Sequence, residues 1–332
     1  MNDWRSVAAI DALRALQDFG SIVDVRSASE FALDHIPGAI NCAVLDDRER
    51  AEVGTLDRQQ SSFEARRRGA AMVARNIARH LETTFATMPR DWRPLIYCWR
   101  GGNRSGAMTQ ILGGVGWPAR QLEGGYRAFR RQVVADLETL PTNIDFRVVC
   151  GTTGSGKSRL LQNLQAAGAQ VLDLEALANH RGSVLGRLPS SPQPSQKFFE
   201  SRLWQALRSF NPAQPVFVEA ESRKVGELRV PDVLLDRMRA AQCIRVDLPF
   251  DARVRLLRAD YAHFEQDPSL LFTQLDCLVA LHGRQKIGAW KALATAHDWD
   301  EMVGSILRDH YDPAYARSMA RNFPHVGSAP RV

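Results

Sequence analysis

The chain is predicted to be an α/β protein made of two parallel-sheet domains, the second with a helical C-terminal part. Three observations predict it. Short apolar strands are each followed by a polar or glycine-rich loop and then by a stretch with helical spacing, the pattern of parallel strands covered by helices. This alternation occurs on both sides of LPTNID at 140–145, which reads as a linker. From about residue 250 onward the chain reads as helix throughout. A length of 332 residues suits two domains, expected at 1–138 and 145–332.

In the first half, GSIVDV (20–25) and LIYC (95–98) read as short buried strands. Between them, about 60–88 carries small and apolar residues at helical spacing with Arg66, Arg67, Arg68, Arg75 and Arg79 interspersed, which predicts a long amphipathic helix with a basic face. AMTQILGGVGW (107–117) reads as a helix ending in glycines, and QLEGGYRAFRRQVVADLETL (121–140) as a glycine turn and another helix. In the second half, DFRVVC, QVLDL, PVFVEA and QCIRVDL read as strands. The helices RLLQNLQAAG, QKFFESRLWQALRSF and VPDVLLDRMRAA alternate with them. The loop at 180–197 is rich in Gly, Ser and Pro and long for a connection, which marks it as a functional loop.

Composition excludes several classes. The chain is 45% hydrophobic and 24% charged, ordinary for a globular protein large enough to bury a core without staples. No apolar run approaches the ~20 residues that span a bilayer. The opening MNDWRSVAAIDALRAL has acidic residues and no long apolar core, so it does not read as a secretory signal. The expected compartment is the cytoplasm. Five scattered cysteines, with no C-x-x-C pair, argue against a disulfide framework or a zinc ribbon. The net charge is +6, and Arg supplies nearly all of the basic residues, which suits a surface meeting phosphates as well as it suits an Arg-rich codon usage.

Two constellations carry chemistry. In LIYCWRGGNRSGAM, Cys98 ends a strand, Gly101 and Gly102 form the loop, and Arg104 and Ser105 open a helix. A thiol there faces successive backbone N–H groups and a helix N-terminus, which lowers its pKa and favours an anion beside the sulfur. Arg104 adds a guanidinium. The second is GTTGSGKS, which fits G-x-x-x-x-G-K-[ST] between a strand and a helix. Gly151, Thr152, Thr153, Gly154, Ser155, Gly156, Lys157 and Ser158 would wrap a diphosphate, with Lys157 neutralising it and Ser158 helping to hold Mg²⁺. Asp173 and Glu175 follow one strand, and Glu219 and Glu221 follow another. All four are candidates at the sheet edge where ligands of such folds bind. His180 and Arg181 are candidate substrate contacts.

The first loop resembles the active-site loop of rhodanese domains. IVDVRSASEFALDHIPGAIN (22–41) and LEGGYRAF (122–129) match the opening and closing segments of those domains. One feature departs from that pattern. Cys-x5-Arg followed by Ser105 is one residue longer than the common rhodanese loop and has the spacing of cysteine phosphatases, although Tyr97 stands where those enzymes usually have His. The fold expectation is thus a rhodanese-like domain followed by a P-loop NTPase-like domain. That combination resembles the tRNA 2-selenouridine synthase family, as do CWRGGNRSG, DLEALANHRGS, QPSQKFFE, VFVEAESRKVG and ERAEVGTLD.

The resemblance implies a transferase that converts 2-thiouridine at the tRNA wobble position to 2-selenouridine. The route runs through an S-geranyl intermediate and uses geranyl diphosphate and selenophosphate. It implies that Cys98 is a selenium-handling nucleophile or carries an S-selanyl group, and that Arg104 holds selenophosphate. It implies tRNA as substrate and an enzyme supplying selenophosphate as a partner. The Arg-rich helix at 60–80 and Arg253, Arg255 and Arg258 are candidate tRNA contacts. A cysteine phosphatase, a P-loop kinase or ATPase with a rhodanese-like regulatory domain, and a non-enzymatic tRNA-binding protein are the alternatives.

Overall fold

A computed structural model describes residues 6–188 and 191–332. The first five residues of the opening stretch, and 189–190 of the 180–197 loop, lie outside the described residues. The chain divides into two compact units, one running to Asp136 and taking in Glu200–Gln205, the other comprising Leu137–Phe199 and Ala206–Val332.

The first unit is built on five strands, β1 (Ser6–Val7), β2 (Ser21–Asp24), β3 (Ile40–Asn41), β4 (Pro94–Tyr97) and β5 (Arg120–Leu122). They lie in the order β1-β5-β4-β2-β3, all parallel. Every residue of β4 is buried, as expected of a central strand covered on both faces. In register, Val23 lies beside Ile96 and Asp24 beside Tyr97. Val23, Val25, Ile96, Met108, Leu112 and Trp92 belong to its core. The predicted 60–88 helix is shorter, Ser62–Glu82, because Ser61 caps its start through the N–H groups of Phe63 and Glu64 and it stops at Thr83. It packs against a second helix, Asp47–Gln59, that the apolar pattern did not reveal. Arg66, Arg67, Arg68, Arg75 and Arg79 are all exposed, so the basic face is present.

The second unit carries β6 (Phe146–Cys150), β7 (Gln170–Leu172), β8 (Val216–Glu219), β9 (Lys224–Val225), β10 (Leu228–Arg229) and β11 (Gln242–Arg245). Four of them form a parallel sheet in the order β11-β6-β8-β7, and β9 with β10 forms a separate antiparallel ribbon. The alternating pattern thus gives the expected parallel topology, with β6 in the interior of the sheet. After Pro249 the chain is largely helical, from Phe250–Asp260 to Asp312–Asn322. Trp290, Leu275, Trp299, Met302 and Ile306 form a core for these helices. The expectation of helix throughout fails at the end. Arg331 bridges to Arg245, Arg245 N–H donates to the Pro330 carbonyl (2.8 Å) and Val332 N–H to the Arg245 carbonyl (2.9 Å), so the tail borders the sheet at β11. No described helix is long and apolar enough to cross a membrane.

Candidate functional site

Cys98 follows β4, and the helix Asn103–Val115 starts five residues later. The residue is 4% exposed. Burial pushes its thiol up. The Ser105 hydroxyl, together with N–H groups of Ser105, Arg100 and Gly102, outweighs that and holds it below the ordinary cysteine value. The Ser105 hydroxyl lies 3.1 Å from the sulfur. It has its own support, because the Gln121 side-chain amide donates to Ser105 Oγ (2.9 Å), to the Gly101 carbonyl (2.6 Å) and to the Gly102 carbonyl (3.1 Å). Gln121, on β5, is a functional candidate that sequence reasoning missed.

Arg104 opens the same helix, and its Nη1 donates to Glu30 Oε2 at 3.0 Å. Burial raises the Glu30 carboxyl, but Arg104 and the Ser27 N–H bring it below its usual value. Glu30 therefore fixes the guanidinium at the loop and takes one of its five N–H donors.

The loop is held from below by backbone. Tyr126 N–H donates to the Cys98 carbonyl (2.8 Å) and Arg127 N–H to the Trp99 carbonyl (3.1 Å). A methyl group at Gly125 would stand 2.2 Å from the Cys98 carbonyl oxygen, so only glycine allows this turn to seat. Beneath lies a buried pair. Arg26 donates to Asp24 through Nε (3.0 and 3.1 Å) and Nη2 (2.6 Å), and Nη2 also reaches the Asp34 carbonyl (2.6 Å). Its guanidinium stacks over Tyr126, 4.1 Å from the ring centre. The DVR segment is thus a buried strut beside the loop.

In the second unit the loop 151–156 links β6 to the helix Lys157–Ala166, the strand–loop–helix context that the motif requires. Lys157 Nζ donates to the Gly151 carbonyl (2.8 Å) and reaches the Thr152 carbonyl (3.4 Å). Ser155 is buried and its N–H donates to the Thr152 carbonyl (3.1 Å). Arg253 Nε donates to the Thr153 carbonyl (2.9 Å), and its Nη atoms pair with Asp312 (3.1 and 2.5 Å). Arg253 is 6% exposed. It is therefore a brace of the phosphate loop, and its expected role in touching tRNA is corrected. Arg258 is partly exposed and pairs with Glu265 (2.8 Å) and Asp300 (2.9 Å). Arg255 is exposed.

Glu175, Glu219 and Glu221 each bring a carboxylate oxygen within 4.8 Å of the others. The Ser158 hydroxyl donates to Glu175 Oε2 at 3.3 Å. Burial, with Lys157 opposing it and Asp173 adding to it, lifts Glu175 to about 7. Burial and the Glu175 charge lift Glu221 to about 8. Burial and the charges of Glu175 and Glu221 carry Glu219 well above the carboxylate range. Glu219 Oε1 is buried without a hydrogen-bond partner. An all-oxygen set with an orphaned carboxylate oxygen fits a hard divalent cation such as Mg²⁺, which Ser158, Glu175, Glu219 and Glu221 would hold. Asp173 is not in the cluster. Its side chain accepts from Ala176 N–H (2.8 Å) and caps the helix Leu174–Ala178.

The 180–188 part of the long loop lies on this cluster. A methyl group at Gly182 would meet Glu175 Oε1 at 2.5 Å and Glu221 Oε1 at 2.6 Å. His180 is buried, and Arg181 donates to the Asp260 carbonyl while stacking over Tyr261 at 4.8 Å. Arg181 thus ties the loop to the helices that follow, while His180 Nδ1 is buried without a hydrogen-bond partner.

The fold and these two centres define a rhodanese-like domain joined to a phosphate-loop domain. Residues 9–132 match the rhodanese-like domain family, and 144–271 match the tRNA 2-selenouridine synthase AAA domain. The chain is 34% identical over 323 residues to a tRNA 2-selenouridine synthase of Marinobacter nauticus, covering 89% of this chain and 87% of that protein. It is 31% identical to the tRNA 2-selenouridine synthase of Alcanivorax borkumensis, over 90% of each. The similarity to the tRNA 2-selenouridine synthase of Nitrosomonas europaea is 37% over 244 residues, 72% of this chain and 63% of that protein, so the match spans less than two thirds of that relative. The chain belongs to the tRNA 2-selenouridine synthase family.

Proposed function

We propose that the chain is a tRNA-modifying transferase that exchanges sulfur for selenium at a wobble 2-thiouridine in two steps, with geranyl diphosphate and selenophosphate as co-substrates. The observation that carries this reading is the presence, in one chain of this family, of a thiol held below its ordinary pKa in an N–H nest and of a phosphate loop bonded to a cluster of three carboxylates.

In the first step the nucleobase sulfur attacks C1 of the geranyl group. The C1–O bond breaks, diphosphate leaves with its electron pair, and the ring N–H loses its proton. The 151–158 loop binds the departing diphosphate through N–H groups and Lys157, which exchanges its carbonyl partners for phosphate oxygens. A bound Mg²⁺ would supply further charge neutralisation on those oxygens.

In the second step selenium from selenophosphate takes the place of the S-geranyl group at the nucleobase. The C–S bond breaks, geranylthiol leaves, and the phosphoryl group passes to water as phosphate. The N–H groups around Cys98 and the guanidinium of Arg104 hold the anion, and Cys98 is the selenium-handling nucleophile. Its thiolate attacks phosphorus, the Se–P bond breaks to free selenide for the nucleobase carbon, and water then cleaves the S–P bond to return the thiol and release phosphate. The exposed arginines of Ser62–Glu82 and Arg255 supply phosphate contacts to tRNA.

Mass spectrometry of tRNA nucleosides, after incubation with geranyl diphosphate, selenophosphate and Mg²⁺, tests the reading. Cys98→Ser is expected to abolish 2-selenouridine while S-geranyl-2-thiouridine accumulates, and Lys157→Ala to lower geranylation at least tenfold. Equal loss of both products in a folded Cys98→Ser variant would overturn the division of labour.

A further inference from the structure

Beside the phosphate loop lies a cavity whose exposed lining is almost wholly apolar. Thr153 of the loop forms part of its wall, together with Leu257 and Tyr261. Its most buried lining comes from the C-terminal helices, with Leu271 2%, Met302 3% and Ile306 4% exposed. A diphosphate seated on the N–H groups of the loop therefore has a greasy hollow next to it. Ser183, Arg258, Glu265 and Tyr311 also line it. Arg258 and Glu265 are paired with each other, however, and little polar surface faces the hollow, which leaves few groups for the base and ribose of a nucleoside.

We infer that this cavity receives the hydrocarbon tail of the diphosphate substrate. The inference rests on the proposed diphosphate role of the loop and gives it a second subsite. The cavity volume is about 70 Å³, so the hollow takes only part of a ten-carbon chain and the rest lies outside it. Met302 is among the most buried of the lining residues, and its flexible thioether can shift as the chain enters. The floor formed by Met302, Leu271 and Ile306 sets the chain length accepted.

Titration calorimetry on the full chain with Mg²⁺ tests this, using inorganic pyrophosphate, geranyl diphosphate and farnesyl diphosphate. The wild-type protein is expected to bind geranyl diphosphate at least tenfold more tightly than pyrophosphate. Met302→Trp, which fills the hollow, should erase that advantage and leave the pyrophosphate affinity unchanged. Met302→Ala, which enlarges it, should shift preference toward the longer farnesyl chain and guards against misfolding of the bulky variant. Equal wild-type affinity for pyrophosphate and geranyl diphosphate, or a tail advantage that neither substitution alters in folded protein, would overturn the tail site while leaving the diphosphate reading standing. A wild-type protein that binds none of the three would overturn both.

Discussion

The Cys98 thiol is held below its ordinary value by neighbours both near and far in the chain. The strand end, the two glycines and the helix start are contiguous, so the N–H nest was legible from CWRGGNRSG. Gln121 was not, since its contact with Ser105 spans 16 residues and depends on β5 lying beside β4. The hydroxyl between them gives a measurable handle. Ser105→Ala removes a donor to a charged sulfur, worth about 1.5–3 kcal/mol. With ~1.4 kcal/mol per pH unit, the pH midpoint of iodoacetamide alkylation should rise by about one unit or more. Gln121→Leu should move it in the same direction by less. An unmoved midpoint in Ser105→Ala would mean that the backbone N–H groups alone set the thiol pKa. The carboxylates show the same limit of reading along the chain. Glu219 and Glu221 were visible as a pair after one strand, whereas their meeting with Glu175 comes from β7 lying beside β8.

Among the elements, strands followed by glycine-rich loops were read well and two-residue strands such as β1 and β3 were not, because two residues carry no period. The helix Asp47–Gln59 has no fully buried residue, so no apolar stripe announced it. Arg253 was misread for a related reason. Within the helix Phe250–Asp260 it looks like one of several surface arginines, and only the fold shows that it faces Thr153 and Asp312. A phosphate contact and a brace predict different losses. Arg253→Met should lower stability by about 2–3 kcal/mol in urea unfolding, less than a fully buried pair because Asp312 is 33% exposed. It should leave the salt dependence of tRNA binding unchanged. A drop of about one in the log–log salt slope, with stability intact, would restore the phosphate role.

For the molecule as a whole, the three glutamates tie stability to pH and to divalent cations. Their carboxyl groups are raised above the 4.5 of a free glutamate, Glu175 to about 7 and Glu221 to about 8. The folded second unit therefore holds protons that the unfolded chain has released, and the stability this gives is present below pH 4.5 and lost as pH rises toward about 8. In EDTA the melting temperature of that unit should fall between pH 6 and pH 8. Added Mg²⁺ should restore it, and by more at pH 8 than at pH 6, since the cation competes with those protons. A Mg²⁺ effect independent of pH, checked by differential scanning fluorimetry, would place the cation elsewhere. The phosphate loop itself is tied from Ser155 to Thr152 and braced from outside by Arg253 at Thr153. Such preorganisation means that little backbone freedom remains to be surrendered when an anion arrives, so less of the cradle's affinity is lost to assembling its own walls.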